Sequence, residues 1–299
     1  MRSSNPVFSR RGFSRDNGYA GFNAQQPQAG GPAAGTNPYA TGNPYAEGAT
    51  NPYATNPYAP QDTLGAPQQA RGNVMTIDDV VSRTAMTLGT VVLTAVLSWL
   101  LLPVDPANLN KSYAIGVGAG LVALVLSLVQ SFKRRPSPAL ILGYAAFEGV
   151  FLGVISAAVS TYIADGVVAQ AVLGTMAVFA GVLIAYKMRW IRVTRRFYGF
   201  VMAAAIGFVL LMAVNLLFAV FGGGDGLGFR SGGLGIMFGV IGIILGACFL
   251  ALDFKQVEDG ITYGAPREES WLAAFGLTMT LVWIYMEFLR LLSILQGDD

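Results

Sequence analysis

The sequence has no histidine among its 299 residues, a single cysteine, and charged side chains at only 12% of positions. Without histidine there is no Ser-His-Asp or Cys-His catalysis, no His-ligated zinc and no imidazole switch, so any response to pH runs through carboxylates. The lone Cys248 lies inside an apolar run. That excludes an intrachain disulfide, a Cys-x-x-Cys redox pair and a thiolate metal cage, and leaves a small packing residue. The charged fraction is about half the roughly 25% of ordinary soluble domains. Beside 54% hydrophobic residues, it excludes a typical water-soluble globule. A net charge of +2 gives no case for nucleic acid as a partner.

Proline is scarce outside one segment, with nine of the fourteen falling in residues 1–72. The same segment lacks aliphatic runs and cannot bury enough apolar surface to offset the entropy of ordering it. It is expected to be a disordered tail attached to a membrane domain over residues 73–299. The motif Asn-Pro-Tyr-Ala recurs from Asn37, Asn43, Asn51 and Asn56, a period too short for a solenoid and suited only to local turns. No charged n-region followed by an apolar stretch and a small-residue cleavage site occurs before Val74, so the tail is expected to stay attached.

What the sequence has in abundance is long apolar runs. Seven follow Arg83, over residues 84–102, 113–132, 139–159, 167–186, 199–221, 233–254 and 271–295. Each reaches the ~20 residues that cross a bilayer as a helix, and none shows the alternation of a barrel strand. The fold class is therefore an all-α integral membrane protein of seven transmembrane helices. With the N-terminus inside, the inner connections hold Arg71, Arg83, Lys133, Arg134, Arg135, Lys187, Arg189, Arg192, Arg195, Arg196, Lys255 and Arg267, against only Lys111 and Arg230 outside. Twelve against two sets the N-terminus in the cytoplasm and the C-terminus outside. Gly235, Gly239, Gly242 and Gly246 in the sixth run, and Gly149 and Gly153 in the third, have the spacing of close helix contacts. Gly116, Gly118 and Gly120 do not make a nucleotide loop, because no strand precedes them.

Four ionisable residues lie within the runs: Glu148, Asp253, Glu287 and Arg290. A charge near the bilayer centre costs at least ~2.5 kcal/mol, so each must face the protein interior or a wet cavity. Glu148 falls near mid-membrane. Asp253 falls at the inner end of the sixth run, where it is either an interfacial carboxylate capped by water and Lys255 or a member of a functional carboxylate cluster. Arg290 follows Glu287 at i+3, on one helix face. Two readings are open. The pair is a local structural ion pair, or Glu287 shares a proton or a cation with Glu148 or Asp253. A cluster of carboxylate oxygens suits a hard cation such as Ca²⁺. No nucleophile, cofactor loop or metal-ligand spacing accompanies them, so the chain is expected to be no enzyme, with no cofactor and no resident metal.

Gly143-Tyr-Ala-Ala-Phe-Glu-Gly-Val-Phe-Leu-Gly153, Leu252-Asp-Phe-Lys-Gln-Val257 and Thr280-Leu-Val-Trp-Ile-Tyr-Met-Glu-Phe-Leu-Arg-Leu-Leu292 resemble the Bax inhibitor-1 family, specifically its bacterial branch with a long N-terminal tail. The resemblance runs from about Arg83 to the C-terminus and leaves out the tail. It implies six helices around a central seventh, and an acidic pair on the sixth and seventh that senses pH for a calcium leak. Asp253 matches the first of that pair. If Ile284-Tyr-Met-Glu-Phe288 is laid on the family's Leu-Tyr-Leu-Asp-Phe, Glu287 is the second. If the Leu-Arg-Leu-Leu ending is anchored instead, the acidic position falls near Thr280, and Glu148 becomes the candidate neighbour of Glu287.

The resemblance and the buried carboxylates together imply a pH-sensitive cation pathway in a bacterial plasma membrane, with Ca²⁺ as the expected permeant ion and Asp253, Glu287, Glu148 and Arg290 as its ion-pathway or pH-sensing residues. The alternative is a non-transporting regulator that binds a membrane protease or another membrane protein through its glycine-rich faces or its tail.

Overall fold

A computed structural model describes residues 74–222, 229 and 231–297. The Asn-Pro-Tyr-Ala tail, Arg71 and Arg230 lie outside the described residues. Those described form seven helices: α1 (Ile77–Leu101), α2 (Leu109–Phe132), α3 (Pro138–Tyr162), α4 (Val167–Lys187), α5 (Arg195–Gly222), α6 (Gly232–Thr262) and α7 (Glu269–Gly297). All seven are long and apolar enough to cross a bilayer. The protein is an integral, multi-pass, all-α membrane protein, and among the described residues the only β pairing is one bridge, Val74 to Pro266.

The helices outrun the apolar stretches furthest at two places, for local reasons. α1 starts seven residues before Thr84 because Thr76 and Asp79 cap it reciprocally. Thr76 Oγ1 accepts from the Asp79 backbone N–H at 3.2 Å, and the Asp79 carboxylate accepts from the Thr76 N–H at 3.3 Å. Asp78 and Asp79 also favour the positive end of the helix dipole. α6 runs on to Thr262, and its polar last turns carry the i,i+4 pair Lys255–Asp259 at 2.8 Å.

α7 is the centre of the bundle. It packs against α1, α3, α4 and α6, and these four close a ring about it, since α1 meets α3, α3 meets α4, α4 meets α6 and α6 meets α1. α2 lies outside the ring on α3, and α5 lies outside it on α6. Each of the outer two reaches α7 only by side chains: Ala123 of α2 in a cluster with Ile141, Tyr144 and Phe275, and Phe208 of α5 with its ring 5.8 Å from that of Trp283. Six helices therefore surround a seventh, four of them closely. The leucines, valines and phenylalanines left on the outside face acyl chains.

Close approach, rather than bulk apolar burial, sets the helix contacts. Gly149 and Gly153 press α3 onto the backbone of α1, so that a Cβ at either would overlap the carbonyl oxygen of Val91 or Ala95. Ser98 Oγ reaches across the same contact to donate to the Val150 carbonyl at 3.0 Å. The glycine stripe of α6 is used in the same way. Gly239, Gly242 and Gly246 receive Leu291, Glu287 and Ile284 of α7. Three of the four stripe glycines are thus occupied within the fold.

Alanine is the better helix former by about 1 kcal/mol, and in lipid-facing Gly118, which has open space around it, Gly→Ala is expected to be neutral or stabilising. At Gly153 the added methyl meets backbone that cannot give way, and a loss of roughly 1–3 kcal/mol is expected. Thermal unfolding of the two variants in detergent tests this; equal melting temperatures would contradict the α1–α3 contact.

Candidate functional site

Polar groups inside the spans gather on α7 in two layers. The layer nearer the N-terminal end of α1 is built around Thr278 and Thr280. Thr278 and Thr87 of α1 are both buried and share a hydrogen bond of 2.8 Å. Two residues on, Thr280 turns to α6 and donates to Asp253 Oδ2 at 2.7 Å. Gly276 leaves room for this carboxylate, since a Cβ there would stand 3.5 Å from Oδ1.

Asp253 therefore does not sit at a helix end with Lys255 as partner. Nine residues of α6 follow it. Lys255, two positions on, points to a different helix face and engages Asp259 at 2.8 Å and Glu258 at 3.4 Å. Tyr186 of α4 also donates to Glu258, and Phe254 packs its ring 5.7 Å from Phe179 and 5.9 Å from Tyr186. Among the described residues, no Lys or Arg forms an ion pair with Asp253.

Glu148 belongs to the same layer. It is half-buried on the α3 stripe that includes Tyr144, Ala145 and Leu152, residues packed toward α7 against Phe275 and Val282. α3 and α7 run the same way, with Tyr144 against Phe275 and Ser156 bonded to Tyr285 at 2.6 Å. Counting back eight residues from Ser156 puts Glu148 at the level of Leu277 to Thr280. Asp253 and Glu148 thus share a depth but come from α6 and α3, which do not meet, and α7 stands between them. Glu148 likewise has no Lys or Arg ion pair among the described residues.

The second layer is nearer the opposite end. Glu287 is buried and forms an ion pair with Arg290 on the same helix face, as the i+3 spacing predicts. Both groups lie along the α6 glycines, Glu287 over Gly242 and Arg290 toward Gly239. Thr280 and Glu287 are seven residues apart, so Asp253 and Glu287 are offset by about 10 Å along α7. Glu148, at the level of Leu277 to Thr280, is offset from Glu287 by about 10 to 15 Å on the same reckoning. The structure brings Glu287 and Arg290 together and brings neither Asp253 nor Glu148 to them. No group of three or more Asp, Glu or Cys side chains among the described residues is placed to hold a metal ion.

A model of the family described as Bax inhibitor 1 like matches residues 5–297 of the chain. The chain belongs to that family. The match begins in the tail, so the family resemblance extends well before Arg83, where the sequence motifs alone placed its start. No curated protein matches the chain. In this Bax inhibitor 1 like chain, the hydrogen bond from Thr280 puts a hydroxyl, and not Glu287, opposite Asp253. The residue facing Asp253 on α7 is Thr280, the position reached by anchoring the Leu-Arg-Leu-Leu ending, and it is a hydroxyl where a carboxylate was expected.

Sequence reasoning missed Thr87, Thr278, Ser156 and Tyr285. Small hydroxyls in an apolar run carry little signal, although Thr280 and Glu287, seven apart, do mark one polar line along α7.

Removing one member of a buried ion pair strands the other, at a cost of about 3–5 kcal/mol, whereas replacing both with apolar residues is far milder. Arg290→Leu is therefore expected to destabilise the protein much more than the double variant Glu287→Leu with Arg290→Leu. Chemical or thermal unfolding in detergent measures it, and a single variant as stable as the double would show that Arg290 is not what neutralises Glu287.

Proposed function

We propose that the protein is a cation pathway of a bacterial plasma membrane, with Ca²⁺ as its permeant ion, in which Asp253 and Glu148 bind the ion and their protonation biases the arrangement of helices around α7. The N-terminus lies in the cytoplasm and the C-terminus outside, which the twelve-to-two distribution of basic residues supports. The observation that carries the reading is the state of Asp253. It is a carboxylate inside a span whose hydrogen-bond partner is a neutral hydroxyl, and among the described residues no Lys or Arg forms an ion pair with it. A charge held in lipid without compensation is costly, and either a proton or a mobile cation removes that cost. Glu148, at the same depth, likewise has no Lys or Arg ion pair among the described residues.

Glu287 has a different part in this reading. Arg290 already neutralises it, so it does not compete for the ion, and the pair holds α6 to α7 in the second layer. The regulator reading draws no support from Gly239, Gly242 and Gly246, which α7 occupies, and keeps the tail and the glycines that face open space.

Deprotonated carboxylates bind a hard cation and protonated ones do not, so flux is expected to be larger at pH 8 than at pH 5. In proteoliposomes, Asp253→Asn should abolish or strongly reduce calcium flux and remove its pH dependence, and Glu148→Gln should reduce it. Flux from the Asp253→Asn protein indistinguishable from the natural one would overturn the reading, as would no flux above empty vesicles for folded protein. Reporters fused at the two termini should read the N-terminus inside and the C-terminus outside.

A further inference from the structure

We propose that the connection between α4 and α5 is a binding site for anionic phospholipid of the leaflet it faces. Five cations are confined there: Lys187 closes α4, Arg189 and Arg192 lie in the connection, and Arg195 and Arg196 open α5. All five are exposed, and among the described residues none of them forms an ion pair. Glu258, whose carboxylate feels the charge of Arg189, is already engaged by Tyr186 and Lys255.

The shape of the connection points to lipid rather than to a soluble polyanion. Only seven residues separate the two spans, so these cations cannot leave the membrane interface. Arg189 takes a left-handed conformation, with φ at 60°, and the next residue, Trp190, is displayed with 72% of its surface open. Tryptophan in this position belongs in the headgroup layer, where the indole sits between acyl chain and water. Arg195 and Arg196 stand in the first turn of α5, which has no acidic residue, so two positive charges add to the positive end of the helix dipole. A phosphodiester supplies the missing negative charge, its chains pass beside Trp190, and nothing in the fold has to move.

Orientation signalling explains why basic residues lie on this side, and it explains Lys133, Arg134 and Arg135 between α2 and α3 equally well. The two loops therefore make an internal control. The inference does not depend on ion flux.

The test uses the full chain in vesicles of phosphatidylcholine with phosphatidylglycerol in equal parts, counting lipids retained after extraction by native mass spectrometry. Each basic residue at an anionic surface carries roughly a fivefold preference, so the variant Arg192→Gln, Arg195→Gln, Arg196→Gln is expected to lose at least about tenfold of the retention of phosphatidylglycerol over phosphatidylcholine. The variant Lys133→Gln, Arg134→Gln, Arg135→Gln removes the same charge from a connection that has neither the exposed tryptophan nor basic residues in the first turn of the following helix, and is expected to lose clearly less. Trp190→Ala, which leaves charge and orientation intact, should weaken retention too. Equal loss in the two triple variants would reduce the effect to general surface charge and overturn the site. So would no preference in the natural protein, or stabilisation by soluble glycerol phosphate equal to that by the lipid. If the Arg triple variant does not fold, unchanged retention in Trp190→Ala overturns it.

Discussion

Helices immersed in lipid gain little by burying leucine against one another, because acyl chains are as apolar as a protein core. What holds seven of them in one arrangement must be close backbone contact and hydrogen bonding. α7 supplies the surface on which both occur. Glycines on α6 let it approach within side-chain overlap of the backbone, and its hydroxyl and charged groups each meet a specific partner: Thr278 with Thr87, Thr280 with Asp253, Tyr285 with Ser156, Glu287 with Arg290. The ring of α1, α3, α4 and α6 follows from these contacts, and α2 and α5, which have fewer of them, lie outside.

The same constraint separates two kinds of carboxylate. Glu287 is neutralised within its own helix, at the spacing where side chains on consecutive turns meet. Asp253 and Glu148 are not neutralised by any ion pair among the described residues, and they share a depth on either side of α7. Charge in the upper layer is spent on structure. Charge in the lower layer is left available, and this asymmetry between two layers of one helix is the physical basis for assigning ion binding to the lower one.

The seven spans were legible because lipid thickness fixes their length and backbone satisfaction fixes their type. Their ends were less so: the capped, polar start of α1 and the charged last turns of α6 are helical for reasons that hydropathy does not register. Residue types at the site were legible too, since ionisable groups in apolar runs are scarce. Their pairing was legible only within one helix, as with Glu287 and Arg290. Across helices it depends on rotation and register, and so Asp253 found Thr280 rather than Lys255, and the α6 glycines found α7. Family resemblance left open which α7 residue faces Asp253, and in the structure Thr280 does.

The claim on which this account rests is that Asp253 and Glu287 are independent groups in separate layers. A double-mutant cycle tests it directly, comparing unfolding free energies of Asp253→Asn, Glu287→Gln and the two combined. Sites about 10 Å apart generally add to within ~0.5 kcal/mol, and additivity is the result expected here. A coupling of 1 to 3 kcal/mol, the range found for groups in one hydrogen-bonded network, would mean that the two carboxylates meet and that the layered arrangement is wrong.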